Sequence, residues 1–265
     1  MTESAVRPSS GTFAPMPGAA PLLHQVLAQA SMEARLMIRN GEQLLLAVVI
    51  PVLVLVGGVA GAHRVGIHFD ERAIDALTPG VLALAVMSTA FTSLAIATGF
   101  ERRYGVIKRL GASPLPRSGL LMGKTGGLLV VEAMQVVVLG GVGLALGWKP
   151  QTSVVAILGA LVALLLGTFA FASLGLLLAG ALRAEATLAA ANLVYLLLLA
   201  GGAVVLPADA YGGAGHTLTW LPSGALGESM RAALIHGDVA VGRLALLAAW
   251  GLVGTVLTSK TFTWE

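Results

Sequence analysis

Long apolar stretches recur along the chain and predict how it is organised. An α-helix needs about 20 mostly apolar residues to cross the hydrocarbon core of a bilayer. Six stretches meet that requirement, at residues 44–62, 81–100, 125–147, 153–182, 187–206 and 240–259. We therefore predict an all-α, polytopic membrane protein with six transmembrane helices, because helices satisfy their own backbone hydrogen bonds in lipid.

The segment ahead of the first predicted span has a different pattern. Over residues 21–39, apolar positions such as Leu23 and Leu27 recur at helical spacing, and polar side chains such as Gln29 and Glu33 fill much of the remainder. This pattern predicts an N-terminal elbow helix that lies in the membrane surface. The alternative is a solvated helix that packs on a partner protein.

A second short segment precedes the last predicted span. Residues 222–236 are too few to cross a bilayer, and Glu228 and Arg231 lie three residues apart on one helical face. We predict a re-entrant or interfacial element at this place in the chain.

Composition supports lipid as the solvent. Of the 265 residues, 57% are hydrophobic and only 11% are charged, and the mean hydropathy is +0.88. A soluble domain has about 25% charged residues. The net charge of +3 is too small to suggest a nucleic acid partner, and the absence of cysteine excludes disulfides, thiol catalysis and cysteine-based zinc sites.

The lysines and arginines set the predicted orientation, because cytoplasmic loops carry an excess of them. With the N-terminus inside, the cytoplasmic segments hold eleven of the sixteen: Arg7, Arg35, Arg39, Arg102, Arg103, Lys108, Arg109, Arg117, Lys124, Arg183 and Lys260. We predict a multi-pass protein of the cell inner or plasma membrane with both termini cytoplasmic. Residues 1–20 are predicted to be a flexible cytoplasmic tail, followed by a single transmembrane domain over residues 21–265.

One ionisable residue lies well inside a predicted span. Glu132 is in the third span, and Gln135, one turn further along, can share its face. Ionisable groups in hydrocarbon are costly and usually face a partner or a pathway. Both residues are candidates for the translocation pathway, and a structural hydrogen bond between helices is an equally good explanation.

The loop after the second predicted span carries the most informative motif. Residues 101–110 are predicted to form a short helix with Val106, Ile107 and Leu110 on one side, which Gly111 and Pro114 would end. The basic residues of this loop would by themselves indicate only an anchor at the cytoplasmic surface. A short helix held at the end of a span is in addition well placed to receive a push from a soluble partner.

At this loop the chain resembles the membrane subunits of type-2 ABC exporters, the ABC-2 permeases of drug, antibiotic and polysaccharide efflux. Their second span usually ends in a run of the form E-R-E-R-G-T-L-x-x-L-x-x-T-P-L, with a Gly-Lys pair before the third span. The matching positions are Glu101, Arg102, Gly105, Leu110, Pro114, Leu115, Gly123 and Lys124. Arg103, Tyr104 and Ser113 depart from the pattern, which leaves the partner's identity more open than the fold.

The resemblance implies that the loop forms a coupling helix that docks on an ATP-binding subunit. The residues that it assigns to coupling are Glu101, Arg102, Tyr104, Val106, Ile107, Lys108, Leu110 and Pro114. It also implies a second permease subunit, identical or similar, contact with membrane lipid, and an amphipathic substrate such as a drug, antibiotic or lipid. ATP and Mg²⁺ would be bound by the partner, and this chain would bind no cofactor itself.

We find no catalytic or metal-binding constellation in the sequence. Residues 119–125 look like a phosphate-binding loop, but only three residues separate the glycines, where the motif needs four. Two other function classes stay open. One is an ion-coupled carrier or channel that acts without an ATPase, since such proteins bury ionisable residues near mid-membrane. The other is a membrane enzyme, for which no reacting side chains are apparent.

Overall fold

The computed structural model describes residues 20–41, 45–65, 71–112 and 115–261. These residues form helices and connecting turns, and no strand occurs within those ranges. The predicted tail lies, except for Ala20, outside the described residues, and so does the candidate coupling residue Pro114.

Nine α-helices of the described ranges build the fold. They are α1 (Leu22–Arg39), α2 (Ile50–Val65), α3 (Ala73–Arg103), α4 (Val106–Gly111), α5 (Arg117–Ala145), α6 (Val154–Ala181), α7 (Ala184–Gly201), α8 (Pro222–Arg231) and α9 (Val241–Thr261). A π-helical turn, Leu45–Val49, leads into α2, and another, Ala232–His236, follows α8. Two short turns of helix, Ala208–Ala214 and Gly215–Leu218, join α7 to α8.

Five of the described helices are long and apolar enough to cross a membrane, namely α3, α5, α6, α7 and α9. A polytopic helical membrane protein is thereby supported. The apolar helix at the first predicted span, Ala47–Ala62, is shorter than these five. The count of six crossings therefore stays a prediction.

The second span begins earlier than hydropathy predicted, at Ala73 instead of residue 81. The added turns include Asp75, a residue that an apolar criterion rejects. Its carboxylate accepts a hydrogen bond from Arg72 Nε at 2.6 Å and one from the Lys149 backbone N–H at 3.0 Å. These partners let the helix extend around a buried charge.

The fifth span ends earlier than predicted, at Gly201 instead of residue 206. Residues 202–206 are not helical, yet Ala203 and Val204 are fully buried. The stretch is as apolar as a span, which is why hydropathy included it. Its carbonyl groups are satisfied by a distant side chain, Arg231, that no local pattern reveals.

Helix α3 lies at the centre of the bundle and packs against α2, α5, α6, α7 and α8. Most of its length is buried inside the protein. Phe91 of α3 meets Phe171 of α6 edge to face, with ring centroids 6.4 Å apart, a favourable arrangement for aromatic pairs. The loop that continues α3 is thus attached to the central and largely buried helix of the bundle.

Helix α1 packs along the first half of α5 through glycine. A Cβ at Gly127 would lie 2.6 Å from the Glu33 Cβ, so a side chain there would push the helices apart. Small residues allow this close approach between membrane helices. Gln29 and Glu33 face α5 and are buried, whereas Leu23 and Leu27 are exposed. The polar face of α1 therefore contacts protein, and its position in the membrane surface stays a prediction.

Helix α8 is enclosed by α3, α6 and α9. Nearly all of its residues are buried, including Ser223, whose hydroxyl donates to the Gly202 carbonyl at 2.8 Å. The predicted pair of Glu228 and Arg231 forms, with 2.9 Å between Oε1 and Nη2. The element predicted as re-entrant or interfacial is therefore held inside the bundle and not laid open at its surface.

Candidate functional site

The candidate coupling loop begins where α3 ends. Helix α3 stops at Arg103, and after Tyr104 and Gly105 the chain resumes as α4 in a new direction. Gly105 has φ of +66°, a left-handed conformation that glycine adopts without strain and that commonly ends helices. The prediction of one helix over residues 101–110 is therefore wrong. We call the end of the bundle that carries this loop the loop end.

A buried ionic cluster lies directly behind the loop. The Lys124 ammonium on α5 is 2.7 Å from a Glu101 carboxylate oxygen on α3 and 2.9 Å from Glu33 on α1. Gln29 donates a further hydrogen bond to Glu33 at 2.8 Å. We call Gln29, Glu33, Glu101 and Lys124 the Lys124 cluster. Because it is largely buried, its hydrogen bonds hold three helices together where the loop starts.

Two arginines of the loop also have partners within the chain. Arg102 donates from Nη1 to the carbonyl groups of Ala179 at 2.5 Å and Gly180 at 3.0 Å, at the end of α6. Arg103 forms an ion pair with Glu185 in the first turn of α7. The arginines therefore tie the end of α3 to the α6–α7 connection.

The remaining candidate coupling residues divide by exposure. Ile107 is 4% exposed and points into the protein, and Val106 and Leu110 are half-buried. Tyr104 is 61% exposed, and its ring stacks on Phe100 with centroids 6.1 Å apart.

Lys108 and Arg109 are exposed as well. We call Tyr104, Lys108 and Arg109 the docking face, because these side chains are open to contact from outside. Ile107 lies behind that face instead of on it.

A cleft opens beside the loop, between α5 on one side and the packed pair of α6 and α9 on the other. Its volume is about 540 Å³, and Ile107 and Thr98 contribute to its lining near the loop end. Thr168 also lines the cleft, and its hydroxyl donates to Glu132 Oε2 at 2.6 Å, which joins α6 to α5. The lining combines aliphatic side chains and Phe169 with several threonine and serine hydroxyls.

Both candidate pathway residues are buried within the chain. Glu132 is 1% exposed, and its Oε1 has no hydrogen-bond partner among the described residues. The Gln135 side chain accepts a hydrogen bond from Thr89 of α3 at 3.0 Å and donates one to the Ala47 carbonyl. Glu132 and Gln135 therefore link α5 to three different elements, and they lie on the same side of α5 as the prediction expected.

Sequence reasoning missed the main role of Arg231. Its guanidinium donates to the carbonyls of Ala203 at 2.9 Å, Val204 at 3.1 Å and Val205 at 3.2 Å. It also pairs with Glu228. Burial lowers the pKa of Arg231 from its usual value, and the negative charge of Glu228 opposes this shift. The sequence signals were an arginine in a largely apolar region and the Gly-Gly pair at the end of α7. Their contact could not be predicted, because the two lie far apart in the sequence.

The segment that resembled a phosphate-binding loop is helical. Residues 119–125 belong to the first turns of α5 and pack against α1, so they do not form the loop that such a site requires. In the described part of the chain, no group of three histidine or acidic side chains is arranged to hold a metal ion.

Comparison with known proteins gives one family. The family model described as ABC-2 family transporter protein matches residues 69–260. The match covers the chain from just before α3 into the last turn of α9, and it includes the candidate coupling loop, the cleft and Arg231. No curated protein matches the chain at significant similarity.

Proposed function

Since the chain belongs to the ABC-2 family of transporter proteins, we propose that it is the membrane-spanning subunit of an ABC exporter and that it forms the pathway for an amphipathic drug, antibiotic or lipid. ATP is hydrolysed in this scheme by a separate subunit, which also binds the Mg²⁺. The observation that carries the proposal is the docking face, an exposed surface attached to the central helix of the fold.

The proposed orientation places the loop end in the cytoplasm. Arg102, Arg103, Lys108, Arg109 and Arg183 all belong to this end. Positive residues are retained on the cytoplasmic side of membrane proteins. Both termini are cytoplasmic in the six-span arrangement, and the protein resides in the inner or plasma membrane.

The proposed coupling runs from the docking face through the Lys124 cluster. A partner that moves α4 displaces the end of α3 through the short turn at Gly105. Glu101 is in the last turn of α3, and its bond to Lys124 connects that displacement to α5 and, through Glu33, to α1. Packed side chains and hydrogen-bond networks of this kind carry energetic coupling between distant sites. A second permease subunit, identical or similar, completes the pathway.

The division of the loop residues revises the expected contacts with the ATP-binding subunit. Tyr104 supplies the exposed aromatic surface that commonly anchors interfaces. Lys108 and Arg109 supply charges that guide association with acidic groups. Ile107 is already packed within the chain, so it supports α4 from behind.

The test is co-purification with the ATP-binding protein encoded nearest to this chain. Tyr104→Ala combined with Lys108→Glu and Arg109→Glu should reduce co-purification and ATP-dependent export while membrane expression stays unchanged. The matched control is Lys149→Glu, an exposed charge in the α5–α6 connection at the opposite end. Full co-purification by the triple variant would contradict the proposed docking face. Transport driven by an ion gradient in the absence of any ATPase would instead favour the carrier alternative.

A further inference from the structure

The cleft between α5 and the α6–α9 pair has the dimensions of a ligand site. Its volume of about 540 Å³ lies within the range of about 300–1,000 Å³ that small-molecule sites occupy. Leu129 of α5 and Phe169 of α6 contribute to its apolar walls. The hydrogen bond between Thr168 and Glu132 marks its end away from the loop. A molecule with a hydrocarbon body therefore fits the walls.

The loop end of the cleft offers a donor that the described part of the chain does not satisfy. The Thr98 hydroxyl is 1% exposed, lines the cleft and has no hydrogen-bond partner within the described residues. Lys124 also lines the cleft and is 6% exposed, and its ammonium is held by the carboxylates of Glu33 and Glu101.

Three other hydroxyls of the cleft already donate within the chain. Thr255 donates to the Gly251 carbonyl, Ser173 to Ala170, and Thr258 to the Ser173 carbonyl. Buried donors are normally paired, and an unpaired one is unfavourable. The polar group that the cleft lacks is therefore an acceptor oxygen beside Thr98.

The charge of the Lys124 cluster selects against charged ligands. One ammonium already faces two carboxylates, from Glu33 and Glu101. An anionic head group would add a third negative charge in a buried place, and an ammonium head group has no acceptor for the Thr98 hydroxyl. Burying an uncompensated charge is costly. An uncharged head group avoids both penalties.

We propose that this cleft binds an uncharged amphiphile, with its hydrocarbon body between α5 and α9 and a hydroxyl or carbonyl oxygen accepting from the Thr98 hydroxyl. This inference goes beyond the proposed function, because it assigns a binding site to the single chain, whether or not the bound molecule is exported.

Photoreactive long-chain probes that differ only in head group provide the test. The full chain in lipid nanodiscs, without any ATPase, is irradiated with a long-chain alcohol, carboxylate and ammonium in turn. The alcohol should label peptides of α5 and α9 that line the cleft, and labelling should saturate and be competed by unlabelled alcohol. Equal labelling by all three probes, or labelling spread over the exposed faces of α7, would overturn the proposal.

Two variants make the assignment specific. Thr98→Val keeps the shape and removes the hydroxyl, so affinity for the alcohol should fall about threefold to tenfold, the size of one lost hydrogen bond. Leu129→Trp fills the cleft and should abolish saturable labelling. The matched control is Leu193→Trp on the exposed side of α7, which should label like the parent. Unchanged labelling in both cleft variants would refute the site.

A cysteine introduced into the cleft gives a second readout that does not depend on photochemistry. The chain contains no cysteine, so Thr255→Cys provides a single thiol that lines the cleft. The alcohol should slow its reaction with a thiol reagent, while Val253→Cys on the exposed side of α9 should react at an unchanged rate. Absence of protection would count against the site. Because no ATPase takes part, this failure would leave the co-purification test of the proposed function unaffected.

Discussion

Lys124 on α5 and Glu101 in the last turn of α3 are joined by an ion pair of 2.7 Å, two residues before α3 ends and the coupling loop begins. The same ammonium contacts Glu33 of α1 at 2.9 Å. A single cation therefore fixes the relative positions of three helices beside the proposed docking face. A movement of the loop together with α3 must therefore carry Lys124 and Glu33 along or break their contacts with Glu101 and with each other.

Removal of Lys124 should destabilise the protein strongly. Lys124→Met leaves two buried carboxylates without their cation, and the loss of one partner from a buried pair costs about 3–5 kcal/mol in the free energy of unfolding. Adding Glu33→Gln and Glu101→Gln to the same chain should restore part of the stability. Thermal unfolding in a mild detergent measures both effects.

Arg103→Met is the control for that series. The Arg103–Glu185 pair is about half exposed on both sides, and surface pairs of this kind contribute about 0–1 kcal/mol. A Lys124→Met protein as stable as the Arg103→Met protein would show that the cluster is not a structural centre.

Arg231→Lys should also be destabilising although it keeps the charge. A lysine ammonium cannot reproduce the forked geometry with which arginine reaches several carbonyls at once. The carbonyls of the stretch from Ala203 to Leu206 would lose partners in a buried place. The expected result is a lower unfolding temperature and faster proteolysis between α7 and α8.

Arg72 is half exposed where it pairs with Asp75 at the start of α3, so Arg72→Lys should change the unfolding temperature little. If both lysine variants behaved alike, the guanidinium of Arg231 would have no special role.

The turn at Gly105 should be sensitive to any side chain. Gly105→Ala must adopt φ near +66°, which costs about 1–2 kcal/mol for a residue with a Cβ. The added Cβ would meet no neighbouring atom, so the effect would come from the backbone alone. We expect reduced coupling, measured as stimulation of the partner's ATPase, with normal membrane insertion.

Gly57→Ala in α2 is the matched control, since its Cβ also meets nothing and its backbone is helical. This change should be neutral or stabilising by up to about 1 kcal/mol. Equal effects of the two substitutions on coupling would contradict the importance of the left-handed turn.

Glu132→Gln distinguishes a pathway role from a packing role. Glutamine keeps the shape and can still accept from the Thr168 hydroxyl, but it cannot carry charge. As a pathway residue, Glu132 should support transport and substrate-stimulated ATPase activity less well after this change. Wild-type values for both would leave only the structural contact with α6, which Thr168→Val would then weaken.

The six-span topology predicts that the segment between α7 and α8 is reached from outside the cell. A cysteine at Ser223 is unsuitable as a reporter of topology, because this position is fully buried and would react with a thiol reagent only after unfolding. Thr217→Cys is exposed and should react with an impermeant thiol reagent in intact cells, whereas Lys108→Cys should react only after the cytoplasmic side is opened. Reversed accessibility would overturn the orientation.

Hydropathy predicted most of the helices because a lipid-spanning helix is a local property of about 20 residues. It failed where distant partners decide the structure. The extension of α3 includes Asp75, whose carboxylate accepts from the Lys149 backbone N–H 74 positions away, and the carbonyls of residues 202–206, outside the helix, are satisfied by Arg231. Neither effect has a signature within the segment itself.

The sequence predicted which segment forms the candidate site, but not which of its side chains are exposed. The order of residues 101–117 predicted the candidate coupling loop, and the glycine at position 105 was visible in the sequence. Which side chains face outward could not be predicted, because Ile107 and Tyr104 differ in exposure only through the contacts of α4 with the rest of the bundle. The bond between Glu33 and Lys124 joins residues that are 91 positions apart, beyond the reach of any local pattern.

The carbonyl contacts of Arg231 also constrain how the protein is made. Helix α8 fits between α3 and α6, which are synthesised before it, and is covered by α9, which is synthesised after it. Chains emerge from the ribosome N-terminus first, so the groove that receives α8 exists before Arg231 leaves the ribosome, whereas its cover does not. The stretch after α7 must await this arginine before its carbonyls are paired. The arrival of α9 then covers α8 and completes the burial of this pairing.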